Sequence, residues 1–422
     1  MCRLFTLALL AAICSISLAA KVLVLQDDPL IRSTHSRYFR ELHSQGHTVT
    51  IKSVTDSNLK LRDWDDWIYD KLVIFAPSAP DMGGDIDDDA VLEFIESGHD
   101  VVIAASSQLS DPMRKLCESI GVDMEGKGTA VVDHVDHVLG THGHTTVLAD
   151  GFSNSDAILG GIGSRAPVLY QGVAGSMSPE STLGTVILSA RDTAFSTVPG
   201  KASLETPSLA GGHAALVVGI QARNGARVVV SGSLDLFSNK FFSAKPVTSQ
   251  GERLESTGNA KFCAEVTKWA FHERGVLRVS NVHHNKAGLT EQPDWYRITD
   301  DLEFALDIHE FSGGSWKPYR ADDVQVEFIM LDPYQRITMK HNNEGHYFTS
   351  FKVPDTYGVY KFVVSYHRAG YTALDVVKRV SVRPFRHNEF ERFLTAAYPY
   401  YASVLSTMAA FFIFSLVFLY HK

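Results

Sequence analysis

The sequence predicts a doubly wound α/β domain, then an all-β sandwich-like domain, then a single C-terminal transmembrane helix. Three observations predict it. Short apolar runs alternate with helical stretches over residues 21–120. Beyond residue 276 the apolar pattern turns strand-like, broken by turn residues. Residues 393–420 carry no charged side chain.

The chain opens on Met1-Cys2-Arg3, followed by a mostly apolar run over residues 4–16. One positive charge before a short apolar stretch is the layout of a secretory signal peptide. Ser17-Leu18-Ala19 places small residues three and one positions before a cut after Ala19, so residues 1–19 read as a leader.

The α/β part is assigned to residues 20–275. Val22-Leu23-Val24-Leu25 is a continuous apolar run, the mark of a strand buried on both faces. Residues 33–45 read as a helix closed by Gly46. Thr48-Val49-Thr50-Ile51, Leu72-Val73-Ile74-Phe75 and Val101-Val102-Ile103-Ala104 are the next strands. Residues 87–97 form a helix with aspartates at its positive end and Gly98 after it. Residues 111–120 form another, ended by Gly121. This alternation implies a parallel sheet with helical crossovers. From about residue 131 glycine and serine become frequent and strands shorten. Residues 214–220 and 227–231 read as strands, and residues 258–274 as a helix with Phe262, Val266, Trp269 and Ala270 on one face.

Residues 276–385 read as all-β. Strand-like runs at 303–308, 324–328 and 359–364 are separated by Ser312-Gly313-Gly314, Asp332-Pro333 and Asp355-Thr356-Tyr357-Gly358. A charged connector, residues 386–396, leads to a span at 397–420 and a two-residue tail, 421–422. About 20 apolar residues suffice to cross the ~30 Å hydrocarbon core. Tyr398, Tyr400 and Tyr401 sit at the entry and Tyr420 at the exit, where amphipathic rings prefer the interface. With the leader, this gives a type I topology with the bulk of the chain luminal. The charge rule opposes it: Arg383, Arg386 and Arg392 precede the span, and only His421 and Lys422 follow. A cleaved leader overrides that bias.

The net charge is −9 with no basic block, which excludes nucleic acid as a partner class. Cys2 and Cys14 fall in the leader. Cys117 and Cys263 either pair in an oxidising lumen or are buried as small hydrophobes. No Asn-x-Ser/Thr sequon is present; Asn154 precedes Ser155-Asp156.

The first strand runs into Gln26-Asp27-Asp28-Pro29 without a glycine cradle, and two carboxylates repel phosphates, so nucleotide binding is excluded. Ser106 or Ser107, after the fourth strand, occupies the place of a nucleophile, but the flanking glycines of a sharp elbow are missing. Asp133-His134-Val135-Asp136-His137, with His142 and His144, is the densest group of metal-ligand residue types. In an extended strand it splits between two faces, leaving His134 and Asp136 as one pair; solvated loop residues are the simpler reading. His283-His284 is a weaker case. No catalytic residue, cofactor site or metal site is assigned. A luminal hydrolase using Ser106 or Ser107 with His134 is one alternative function. A carbohydrate-binding module stacking sugars on Trp64, Trp67 and Trp316 is another, though core packing is the expectation for these indoles. In the span, Ala402, Ser403, Ser406, Ala409 and Ala410 are small residues at helical spacing, which permits close helix approach in lipid.

Several blocks in order resemble the forty-eight-kilodalton subunit family of the oligosaccharyltransferase complex. They are Lys21-Val22-Leu23-Val24-Leu25, Val131-Val132-Asp133-His134, Gly219-Ile220-Gln221-Ala222-Arg223-Asn224 and Ala226-Arg227-Val228-Val229-Val230-Ser231-Gly232-Ser233-Leu234-Asp235. Then come Gly275-Val276-Leu277-Arg278-Val279, Val353-Pro354-Asp355-Thr356-Tyr357-Gly358-Val359, Val382-Arg383-Pro384 and Ala397-Tyr398-Pro399-Tyr400-Tyr401-Ala402. The resemblance covers nearly the whole chain. It implies an amidotransferase-like α/β domain in a non-catalytic subunit of the endoplasmic reticulum membrane. The complex moves a preassembled oligosaccharide from dolichol diphosphate to Asn of Asn-x-Ser/Thr. The implied partners are the catalytic multi-spanning subunit, ribophorin-I-like and ribophorin-II-like subunits, the small defender-against-death subunit and the lipid bilayer. The subunit itself is expected to need no cofactor. Many members carry a lysine-bearing retrieval tail; here Tyr420-His421-Lys422 follows the span, so retention through assembly is the expectation.

Overall fold

A computed structural model describes residues 20–139, 142–153, 155–160, 166–178, 181–200, 206–390 and 395–421. The expected leader, Asn154, Arg392 and Lys422 lie outside the described residues.

The α/β part contains β1 (Lys21–Gln26), α1 (Ser36–Ser44), β2 (Thr48–Ser53), β3 (Lys71–Phe75), α2 (Asp88–Glu96), β4 (Asp100–Ala104), α3 (Asp111–Ile120), β5 (Gly184–Ser189), β6 (Ala215–Gln221), β7 (Arg227–Ser231) and α4 (Asn259–Ala270). The main sheet runs β2-β1-β3-β4-β7-β6-β5. The first five strands are parallel, while β6 and β5 add antiparallel to one edge. Alternate side chains of the continuous apolar strands serve two cores. Val73, Phe75 and Val102 meet Tyr38, Phe39 and Leu42 of α1 and Phe262, Val266 and Trp269 of α4. Leu72, Ile74, Val101 and Ile103 meet α2 and α3 on the other face. Helix α2 starts where the Asp87 carboxylate accepts the Ala90 N–H at 2.7 Å. Helices α2 and α3 are each followed by a left-handed glycine, Gly98 (φ 93°) and Gly121 (φ 106°).

One expected helix is broken. Residues 31–34 and 36–44 are separate helical pieces, with His35 at φ −113° between them. The buried His35 ring is drawn inward: Nε2 lies 3.2 Å from the Leu234 carbonyl and Nδ1 lies 2.9 Å from Thr34 Oγ1.

The β-rich part is a two-sheet sandwich. It contains β8 (Arg274–Lys286), β9 (Asp301–Ser312), β10 (Gln325–Ile329), β11 (His346–Lys352), β12 (Gly358–Tyr366) and β13 (Leu374–Arg383). One sheet holds β8-β9-β11; the other holds Trp295–Arg297, β13, β12 and β10. Ring stacks fill the space between them. Phe304 lies on Phe362 with centroids 4.7 Å apart, and Phe328 on Tyr360 at 4.4 Å.

The register gives this sandwich two poles. Gly358 pairs with Val382, Arg297 with Arg383, Asp301 with Lys352 and Ile329 with Lys361. The loops carrying Leu289, Leu331 and Tyr357 therefore share the pole from which the chain leaves for its last helix. Tyr366 pairs with Leu374 and Arg274 with Ser312 at the opposite pole, which meets the α/β part. The nine residues of β12 separate the poles by about 30 Å. Last comes α5 (Tyr398–Tyr420), whose 23 residues extend about 34 Å. It is long and apolar enough to cross a bilayer, and none of it is buried against the rest of the chain.

Candidate functional site

Strand β4 ends at Ala104, and α3 begins only at Asp111. Ser106 and Ser107 lie in this loose connection, outside the left-handed backbone region that a sharp nucleophile turn uses. Ser106 Oγ accepts the Gln108 N–H at 3.2 Å, and the Ser107 carbonyl accepts the Gly128 N–H at 2.8 Å. His134 turns elsewhere, with its Nδ1 2.8 Å from His144 Nδ1. The hydrolase arrangement of Ser106 or Ser107 with His134 is not assembled.

The acidic-histidine run departs from the extended geometry expected of it. Its strand stops at Asp133. The buried Asp133 carboxylate accepts the N–H groups of Val135 and Asp136 at 2.7 and 2.9 Å, and the Thr193 hydroxyl at 2.6 Å. This turn replaces strand alternation, so the His134–Asp136 pair does not form. Asp136 instead meets Arg191 and Gln250 at 3.2 and 2.8 Å. His134 and His137 both reach His144, the latter as a ring stack at 3.8 Å. Among the described residues, no group of three or more His, Cys, Asp or Glu is arranged to hold a metal. In the other histidine pair, the buried His284 places Nδ1 2.7 Å from the Tyr296 hydroxyl and Nε2 2.9 Å from Gln292. Burial pulls its pKa down to about 4.

The tryptophan expectation is corrected. Trp64 is 93 % exposed at the tip of a short hairpin, in left-handed backbone where no neighbouring sheet covers it. Trp316 is partly exposed beside Phe311 on the sandwich. Trp67 is half-buried, edge-on to Phe94. Trp64 and Trp316 belong to different parts of the chain and form no single stacking platform. The cysteines are free and buried in cores on opposite faces of the sheet, so they do not pair. Burial pushes the Cys117 thiol up to about 12 and Cys263 well above its ordinary value.

Among the described residues, a heavily bonded polar group lies at the joint between the α/β part and the sandwich. Arg227, Asp100 and Lys71 open β7, β4 and β3 at one edge of the sheet. Arg227 is fully buried. Its Nη1 donates to the carbonyls of Trp269 and Arg274, each at 2.7 Å. Its Nη2 donates to the carbonyls of Gly275 at 2.7 Å and Gly370 at 3.3 Å. One planar fork thus ties the end of α4, the start of β8 and a distant sandwich loop. Asp100 accepts the Arg227 backbone N–H at 3.0 Å and pairs with Lys71 at 2.5 Å and His272 at 3.0 Å. Burial alone would raise the Asp100 carboxyl. The hydrogen bond from His272 and the charge of Lys71 outweigh it and hold the group below its ordinary value. Burial lowers the Arg227 pKa to about 10 despite Asp100 beside it. Gly275 sits at φ 64°, and a Cβ there would come within 2.4 Å of the Gly370 carbonyl, so a side chain would prise the joint apart.

The family models described as OST48, N-terminal domain, and OST48 middle domain match residues 14–273 and 283–422. Together they span both sides of this joint. The chain belongs to the OST48 family. Its relatives named "Dolichyl-diphosphooligosaccharide--protein glycosyltransferase 48 kDa subunit" include one from Arabidopsis thaliana, 45% identical over 95% of this chain and 93% of the relative. Those from Danio rerio and Caenorhabditis elegans are each 40% identical, over 95% and 96% of this chain and 92% of either relative.

In this OST48 family member, the small residues Ala402, Ser403, Ser406, Ala409 and Ala410 all lie on the exposed helix α5. At 100° per residue they occupy about a third of its circumference. The Ser403 and Ser406 hydroxyls donate to the Tyr400 and Ser403 carbonyls at 3.0 and 2.8 Å, so neither is left unpaired within the helix.

Proposed function

We propose that this chain is a non-catalytic, structural subunit of the oligosaccharyltransferase complex, with its α/β and sandwich parts in the lumen of the endoplasmic reticulum. The observation carrying this reading is the two-pole sandwich: the Arg227 joint holds the α/β part at one pole, and the apolar helix leaves from the other. Such a body is a rigid spacer that presents the α/β surface about 30 Å above a membrane. The α/β part serves as an amidotransferase-like scaffold without a working nucleophile. Transfer of oligosaccharide from dolichol diphosphate to Asn is assigned to a multi-spanning partner, and no cofactor is assigned to this chain. Helix α5 crosses once in type I orientation. Its small face, Ala402, Ser403, Ser406, Ala409 and Ala410, packs on helices of neighbouring subunits, with ribophorin-like and defender-against-death subunits as the proposed partners.

The test is complementation. In cells lacking the chain, a Ser106→Ala, Ser107→Ala, His134→Ala triple variant is expected to restore glycosylation of a reporter glycoprotein like the unaltered chain. Failure of this variant, at normal abundance and with the complex intact, would assign chemistry to those side chains and overturn the structural reading.

A further inference from the structure

The membrane-side pole of the sandwich carries an unusual set of side chains. Leu331 is 98 % exposed, and Leu289, Trp295, Tyr357 and Phe390 are each about half exposed or more. Leu289, Leu331 and Tyr357 sit on loops, Trp295 on a short edge strand and Phe390 on the chain that leaves β13, and the strand register brings them to one end. Leu331 has φ 96°, a strained conformation for leucine, and it has no core to fill. A Cβ on Gly358 would lie 2.3 Å from Met330 Sδ, which sets the 330–332 turn beside Tyr357.

The chain beyond β13 is fixed to this same pole. Arg383 covers the Trp295 ring at 4.1 Å and donates two hydrogen bonds to Glu389, at 2.6 and 2.7 Å. Phe385 lies under Arg297 and against Phe390, with ring centroids 5.5 Å apart. Five residue steps then separate Phe390 from Thr395, where the apolar helix begins. At ~3.6 Å per residue, that tether is no longer than about 18 Å. The pole is thus leashed to the point where the helix enters the bilayer. We propose that Leu289, Trp295, Leu331, Tyr357 and Phe390 form an apolar crown that seats this pole in the headgroup layer of the bilayer. The proposal rests on the reading that α5 spans the membrane. Charged neighbours fix the depth. Asp294, Asp332 and Asp355 stand near three of the tips, with Lys352, Arg386 and the Arg383–Glu389 pair among them. Charges of both signs keep the loops out of the hydrocarbon and match zwitterionic headgroups. Apolar tips set between charged groups suit this wet, irregular layer.

The test uses the full chain in phosphatidylcholine nanodiscs. An environment-sensitive fluorophore is placed at Leu331→Cys or Tyr357→Cys, at His367→Cys on the opposite pole, and at Phe412→Cys inside α5. Cys117 and Cys263 are buried and do not compete for the label. Quenching by aqueous iodide is compared with quenching by spin-labelled lipid, labelled near the headgroup for positions 331, 357 and 367 and in mid-chain for position 412, which lies about 21 Å along α5 from Tyr398. The expected result is lipid quenching at positions 331 and 357 several-fold above that at 367, with protection from iodide. Labels at 331 and 357 as open to iodide as 367, with 412 quenched by lipid, would overturn the crown alone. Protection from both quenchers would assign the crown to a protein contact and also overturn it. Loss of lipid quenching at 412 would overturn the spanning reading and the crown with it.

Discussion

The indole N–H of Trp269 donates to the carbonyl of Gly370 at 2.8 Å, so the last helix of the α/β part is hydrogen-bonded to a loop of the sandwich. The Arg227 guanidinium stacks over the same indole at 5.0 Å and reaches the same carbonyl. Two side chains from one part thus converge on one backbone atom of the other.

Arg227→Met is predicted to strip four carbonyls of their shared donor and to destabilise the chain by about 3 kcal/mol or more. Arg227→Lys is predicted to recover little, because an ammonium lacks the planar fork. Urea unfolding measures the loss, and limited proteolysis should reveal a new cut near residues 271–276 in both variants. An unchanged midpoint would contradict the role given to Arg227.

Trp269→Ala and Trp64→Ala are predicted to differ sharply. The first empties a fully buried site and is expected to cost about 3–5 kcal/mol. The second removes an exposed ring and is expected to stay within about 0.5 kcal/mol. Thermal melts of the two variants check this pair.

Acid is predicted to act at two places. The folded sandwich keeps His284 neutral down to a pKa of about 4, against about 6.5 when unfolded. Between those values the unfolded chain binds the extra proton. Stability is therefore complete above pH ~6.5 and falls toward pH ~4, by a total on the order of 3 kcal/mol. His284→Gln should flatten this slope. Asp100 has a depressed folded pKa, so its contribution is complete above the unfolded value near ~3.9 and is lost only as pH falls through the folded value. Asp100→Asn should remove that strongly acidic limb while leaving the slope due to His284 in place.

Ser406→Leu and Ala410→Leu are predicted to weaken assembly, since each adds bulk to the small face of α5. The amount of each variant that migrates with the complex on a native gel is the measure. Full incorporation of both would refute the packing face.

Much of the layered architecture was legible because continuous apolar runs such as 22–25 and 101–104 allow little besides buried strands, and Gly98 and Gly121 mark helix ends by their backbone freedom. Local side-chain bonding was not legible. Asp133 bends the chain by accepting the N–H groups two and three residues ahead of it, which alternation cannot foresee, and His35 breaks a helix to reach Leu234. Trp64 was expected inside on hydrophobicity, yet a hairpin tip decides its exposure. The joint had a faint signal: Lys71, Asp100 and Arg227 each open an otherwise apolar strand, and parallel pairing brings those openings to one edge of the sheet. The bonds from Arg227 to Gly275 and Gly370 depend on long-range placement that strand patterns do not encode.

The central claim is that this OST48 family member works as a built-in part of a membrane glycosyltransferase complex. The most direct test is affinity purification of the tagged full chain in mild detergent, with identification of the chains that accompany it. The account predicts recovery of a multi-spanning glycosyltransferase together with ribophorin-like subunits. Recovery of the chain alone, under conditions that keep other membrane complexes intact, would contradict it.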